Sequence, residues 1–275
     1  MKIVDKALGG FLGLAIGDAL GAQVEFKPPG TFPLVTDMVG GGVYNLLPGQ
    51  ITDDTIMSIL STRSLLECKE FSAHHMMDLF YKWSSSPECF DIGTTIQEAI
   101  YAYKRTGDPF QGIDDENYSG NGSLMRIYPS ILWTLDLNDV DAFSIVWDIS
   151  RLTHASPIVY DVSLSFFKIL RKILLADSIQ KDEILKGLKI QLPSRSSGFV
   201  LDTFNVALWG FANSESFEEG VLKVVNLGDD ADTAGAVYGQ LAGSFYGVNA
   251  LPERFLRHIR EKDEISGLVL RMIKR

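Results

Sequence analysis

The chain has 275 residues, 46% hydrophobic and 22% charged, with a formal net charge of −10. That surplus of carboxylates, with lysines and arginines scattered along the chain, argues against an extended nucleic-acid surface, which needs clustered basic residues to displace counterions. Two cysteines, Cys68 and Cys89, leave no disulfide framework and no thiolate zinc site, and fit a reduced, cytoplasmic setting.

Apolar residues recur at helical spacing from the start of the chain to near its end. The expected helices cover residues 6–22, 55–68, 72–84, 94–106, 121–135, 139–152, 156–177, 181–191, 200–212, 216–226, 232–247 and 252–262. The first imitates a secretory signal, but Asp5, Asp18 and the glycines at 9, 10, 13 and 17 fit a buried small-residue helix better. No stretch approaches the roughly 20 apolar residues of a membrane span. Strand-like alternation is nearly absent and no composition shift divides the chain. The expectation is an all-α fold in a single domain over residues 1–275, with no fixed-period repeat.

Residues 26–51 interrupt the pattern with four prolines and five glycines, so they are expected to form a long loop. Loops of that length inside a packed chain are usually functional covers or disordered.

Two acidic clusters stand at expected helix starts. Thr52, Asp53, Asp54 and Thr55 end the loop, and Asp229, Asp230, Asp232 and Thr233 precede a glycine-rich helix. One such residue caps a helix; a cap does not use four. Were the two starts to converge, the repelling carboxylates would call for hard divalent cations such as Mg²⁺ or Mn²⁺. Glycines at 235, 239, 243 and 247, and at 9, 13 and 17, form small-residue edges that let helix backbones approach closely. Ser119, Gly120, Asn121, Gly122 and Ser123 make a small-residue turn whose backbone N–H groups could hold phosphate, without the lysine of a phosphate-binding loop.

Seven segments in order carry a resemblance: IGDALGAQVEF at 16–26, TDDT at 52–55, CFDIGTT at 89–95, GNGSLMRIYP at 120–129, THASP at 153–157, SSGFVLDTFNVALW at 196–209 and GDDADTAGAVYGQLAGSFYG at 228–247. Together the chain resembles the ADP-ribosylglycohydrolases. The resemblance implies an all-α hydrolase with a two-metal cleft that releases ADP-ribose from a modified protein side chain, most plausibly arginine. It implies Thr52, Asp53, Asp54, Asp230, Asp232 and Thr233 as metal ligands, with Asp229 at a position where glycine is common. It further implies Glu25 and Asp91 as catalytic or gating acids and His154 as a ligand contact, while Ser197, Gly198 and Phe199 would line the nucleotide end. Other ADP-ribose conjugates as substrates, or ADP-ribose binding without hydrolysis, are the alternatives. His74, His75 and His258 are expected on helix surfaces.

Overall fold

Four-residue spacing puts Gly9, Gly13 and Gly17 on one helix edge and Gly235, Gly239 and Gly243 on another. In the computed structural model, which describes residues 2–275, these edges meet. They belong to α1 (Ile3–Gly21) and α11 (Ala231–Tyr246). A Cβ added at Gly17 would stand 1.9 Å from the Gly235 carbonyl oxygen; at Gly13, 2.4 Å from that of Gly239; at Gly9, 2.2 Å from that of Gly243. No side chain fits such gaps. Partner numbers fall as glycine numbers rise, so the helices run antiparallel. The end of α1 therefore lies beside the start of α11, with Gly21 against the Ala231 carbonyl. Glycine costs a helix about 1 kcal/mol per residue relative to alanine, and close backbone dispersion and Cα–H···O contact offset that cost.

Around this pair stand α2 (Asp53–Cys68), α3 (Ala73–Ser84), α4 (Thr94–Thr106), α5 (Tyr128–Trp133), α6 (Asp139–Ser150) and α7 (Pro157–Leu175). They are followed by α8 (Lys181–Leu185), α9 (Val200–Ala212) and α10 (Phe217–Val225), then by α12 (Glu253–Leu256) and α13 (Lys262–Ile273) after the central α11. Among the described residues there is no sheet, only isolated bridges such as Gly41 with Leu46 and Gly120 with Phe199. Helix starts follow local chemistry: Ser72, Asn138, Ser156 and Ser216 each accept a backbone N–H of their helix's first turn. Among the described residues no helix is long and apolar enough to cross a membrane.

Three expected helices differ. Residues 121–127 form turns, and α5 begins only at Tyr128 with Pro129 in its first turn; the Asn121 N–H is bonded to the Gly198 carbonyl and its side-chain amide to Thr203 and Asp230. The stretch at 181–191 is helical only to Leu185, stopped before Gly187 at φ +83°. The stretch at 252–262 yields only the short α12, whereas α13 was not anticipated although Ile265, Leu268, Val269 and Met272 give it an apolar face. His74 is exposed and His75 and His258 are half-buried, all at the surface.

The 26–51 segment is anchored. The Gln23 carboxamide bonds to Leu20, Asp37 and Val39, Asn226 pairs with both backbone groups of Val35, and Val35, Met38 and Leu46 are buried.

A Cβ at Gly239 would stand 2.0 Å from the Gly13 carbonyl oxygen, whereas one at Gly267 on α13 meets nothing within 4 Å. Gly239→Ala should destabilise by about 2 kcal/mol or more through overpacking, and Gly267→Ala should stabilise by roughly 0.5–1 kcal/mol through helix propensity. Denaturant melts of the two variants check both signs.

Candidate active site

The antiparallel pairing brings three helix ends together. Asp18 lies in the last turn of α1, Glu25 follows α1, the TDDT run opens α2, and Asp230, Asp232 and Thr233 open α11. Positions 54 and 233, 179 apart in sequence, come within 3.4 Å through Asp54 Oδ2 and Thr233 Oγ1. The two turns beside them are tied by backbone bonds. Phe26 N–H donates to the Asp229 carbonyl (2.7 Å), and Asp229 N–H donates to that of Lys27 (2.9 Å). Asp229 has φ +58°, which accounts for the fit of glycine at this position; it is half-buried and lines the cavity.

Asp18 is the residue that sequence reasoning missed. Its fully buried carboxylate accepts the Thr52 N–H (3.1 Å), the Thr52 hydroxyl (2.9 Å), the Thr55 N–H (3.2 Å) and the Thr55 hydroxyl (2.5 Å). Thr55 N–H is the donor that an N-cap side chain normally satisfies. Here Thr52, the residue at the cap, makes no such bond, because a carboxylate from α1 caps α2 instead. The Thr52 hydroxyl, with one proton to donate, stands between two carboxylates, 2.9 Å from Asp18 Oδ1 and 3.3 Å from Asp54 Oδ2. The available signal was Asp18 itself, a lone carboxylate amid the glycines and apolar residues of α1.

A cavity of about 440 Å³ opens onto these ends. It is lined by Glu25, Asp53, Asp91, Asp230, Asp232 and Thr233, and by Phe26 and Tyr44 of the long loop. Glu25, Asp91 and Asp232 each offer an oxygen within 4.8 Å of the others, an arrangement that could hold a metal ion. Glu25 Oε2, Asp54 Oδ1, Asp91 Oδ2 and Asp232 Oδ1 are buried without a hydrogen-bond partner. Four orphaned carboxylate oxygens fit a hard cation and little else. Asp53 Oδ2 accepts Gly93 N–H (3.3 Å), Asp230 accepts the Asn121 amide (2.5 Å), and Asp91 accepts the Tyr44 hydroxyl (2.9 Å).

Electrostatics agree. Burial, then the charges of Asp91, Asp230 and Asp53, pushes Glu25 up to about 9. Burial pushes Asp18 up to about 7 against the pull of its hydrogen bonds. Burial foremost, then repulsion among these carboxylates, holds Asp53, Asp54 and Asp232 well above the ordinary range.

The nucleotide-end residues divide. Gly120, Asn121, Gly122, His154 and Gly198 line the cavity. The Gly122 and Ser123 N–H groups make no backbone bond among the described residues. Arg126 donates to the Thr153 hydroxyl (2.7 Å), which lies 2.8 Å from His154 Nδ1. The Thr153 hydroxyl thus links Arg126 to His154 Nδ1, and His154 Nε2 stands beside Gly120. Burial, reinforced by Arg126, lowers His154 to about 3, so it is a neutral donor. By contrast, the Ser119 hydroxyl is bonded to Glu116 and Ser156, Ser197 to Asp202, and Ser123 is buried; none of these three, nor Phe199, lines the cavity. Thr52 and Asp54 are buried directly beneath the lining, with Asp54 Oδ2 3.4 Å from the hydroxyl of Thr233, which lines the cavity.

A cavity walled by carboxylates at converging helix starts could hold a metal ion, and comparison with known proteins names the family. The ADP-ribosylglycohydrolase family profile matches residues 1–275, and the chain belongs to that family. It is 32% identical to the ADP-ribosylarginine hydrolase Tri1 of Serratia proteamaculans (strain 568), over 96% of this chain and 78% of that one. It is 33% identical to the ADP-ribosyl-dinitrogen reductase glycohydrolase of Rhodospirillum rubrum, over 96% and 93%. A solved structure described as an ADP-ribosylglycohydrolase-related protein complex superposes with a TM-score of 0.90 at 38% identity, over 99% of this chain and 98% of that one.

Two outcomes follow from the geometry. Asp18→Asn would set an amide N–H against the Thr52 and Thr55 donors, so Mn²⁺ affinity by calorimetry should fall about 10–100-fold; unchanged affinity would remove Asp18 from the site. The raised carboxyls hold protons that the unfolded chain has released, so ion-free protein should lose stability as pH rises from roughly 4 toward Glu25's value of about 9. The melting temperature of chelator-treated protein should therefore drop from about pH 6 to about pH 8, and excess Mg²⁺ should flatten the slope.

Proposed function

We propose that this chain removes ADP-ribose from modified arginine side chains of proteins, using two divalent cations, Mg²⁺ or Mn²⁺. The observation that carries the reading is the approach of Glu25, Asp91 and Asp232 to within 4.8 Å in a cavity whose buried carboxylate oxygens lack partners. Thr52, Asp53, Asp54, Asp230, Asp232 and Thr233 would hold the cations. Bound there, the cations supply orientation of the ribose hydroxyls, neutralisation of the carboxylates and acidification of a water.

The chain's own groups supply the rest. Cleavage at the ribose C1 passes through an oxocarbenium-like state, which needs a proton for the departing group and a positioned nucleophile. Glu25, whose burial favours the protonated carboxyl, is placed to give a proton, and Asp91 is steadied by the Tyr44 hydroxyl and free on its other oxygen to orient water or the leaving guanidinium. The Gly122 N–H and the neutral His154, both on the cavity wall, are donors for the diphosphate.

The reading places the 26–51 segment at the cleft through Phe26 and Tyr44, and it fits a cytoplasmic enzyme acting on protein substrates. Arginine-ADP-ribosylated protein incubated with the chain and Mg²⁺ or Mn²⁺ should yield free ADP-ribose, and a chelator should stop it. Asp53→Ala and Asp232→Ala should each lower turnover by about 10²-fold or more. No release with either ion, from folded protein, would end this reading.

A further inference from the structure

A second cavity, of about 640 Å³, adjoins the acidic one. Phe90 lines it, whereas the next residue, Asp91, lines the acidic cavity; consecutive Cα atoms are only about 3.8 Å apart. Tyr44 joins the two, its ring 5.4 Å from that of Phe90 and its hydroxyl 2.9 Å from Asp91. The Tyr44–Phe90 pair therefore stands where the two linings meet.

The second cavity is built from Leu47 of the long loop, from Ile56 and Leu60 of α2 and from Leu79 of α3, with Trp83 and Glu261 also in its lining. Trp83 Nε1 and Glu261 Oε2 are buried without any hydrogen-bond partner. An unmade buried bond costs about 1–3 kcal/mol, and nothing in the fold or the acidic site uses either group. A donor and an acceptor beside apolar side chains match what an extended polypeptide offers: a carbonyl, an N–H and apolar side chains. The charge is mixed, with Lys82 and Arg260 set among Glu88, Glu261 and Glu264, which suits a peptide better than a phosphate-rich ligand. Val43 and Leu47, on either side of Tyr44 along the loop, are 52% and 51% exposed.

Continuity with the acidic cavity selects the occupant. ADP-ribose on a substrate protein is tethered, so once it enters the acidic cavity its polypeptide must leave along the adjoining surface, and the Tyr44–Phe90 pair leads from that cavity to the second one. We propose that this second cavity is the docking groove for the acceptor polypeptide, seating residues that flank the modified arginine. The proposal rests on the hydrolase reading above. It assigns Leu47, Trp83 and Glu261 to recognition of the protein part of the substrate, separately from the chemistry.

The test compares two substrates: a peptide ADP-ribosylated on one central arginine, with apolar flanking residues, and ADP-ribosylated free arginine. Leu47→Glu changes an exposed side chain, and Trp83→Phe keeps the ring while deleting the N–H. For the peptide, kcat/KM should fall about tenfold with the first and about threefold with the second, carried by KM. For the free conjugate, both variants should match the unmodified chain. Equal losses on both substrates, or an unchanged peptide KM in both variants, would overturn the groove while leaving the hydrolase intact. If the unmodified chain turns over neither substrate, the hydrolase reading fails first and the groove falls with it.

Discussion

Backbone-to-backbone contact between α1 and α11 is the constraint from which the site follows. Glycines four apart on each helix bring their main chains closer than any side chain would allow. The register is stepwise, since a slip of one helical turn would realign the ladder but move the helix ends by about 5.4 Å. Only the observed register sets the end of α1, with Asp18 and the turn to Glu25, against the start of α11 with Asp230, Asp232 and Thr233. Helix α2 is then fixed by the Asp18 carboxylate, which reaches across to satisfy its first-turn donors.

The same arrangement concentrates unfavourable charge. Carboxylates crowd into a partly dry volume, and burial outweighs the hydrogen bonds that would keep them ionised. Helix starts supply partial positive charge, worth about 0.3–1 kcal/mol each, far short of what several buried carboxylates require. Such a cage could hold a cation, and the chain belongs to a family of hydrolases in which a site of this kind has a use.

Much of this was legible in the sequence, for identifiable reasons. The clusters at 52–55 and 230–233 stood out because capping cannot occupy so many oxygens, and the glycine spacing announced close helix approach, although not that the two strips face each other. Asp18 escaped because its role depends on a partner 34 positions away, and a single carboxylate in an apolar helix reads as a blemish. Phe199 and Ser197 lie in a matching motif, yet side-chain direction is decided by packing, and Ser197 turns to Asp202 instead. The turns at 121–127 were read as helix because the apolar spacing continues through them, whereas the Asn121 amide is drawn off to Thr203 and Asp230. Helix α13 carried an ordinary amphipathic pattern and was passed over at its boundary with the irregular stretch before it.

The glycine ladder also governs how loss of function in this chain should be interpreted. Gly9 sits at the far end of α1 from Asp18, yet a methyl group there would press on the Gly243 and Gly247 main chain and lever the opposite end of the helix pair apart. Damage remote from the cage can therefore imitate removal of a reactive group. Inactivity in a glycine variant speaks to alignment, and only variants that leave the paired helices undisturbed report on chemistry.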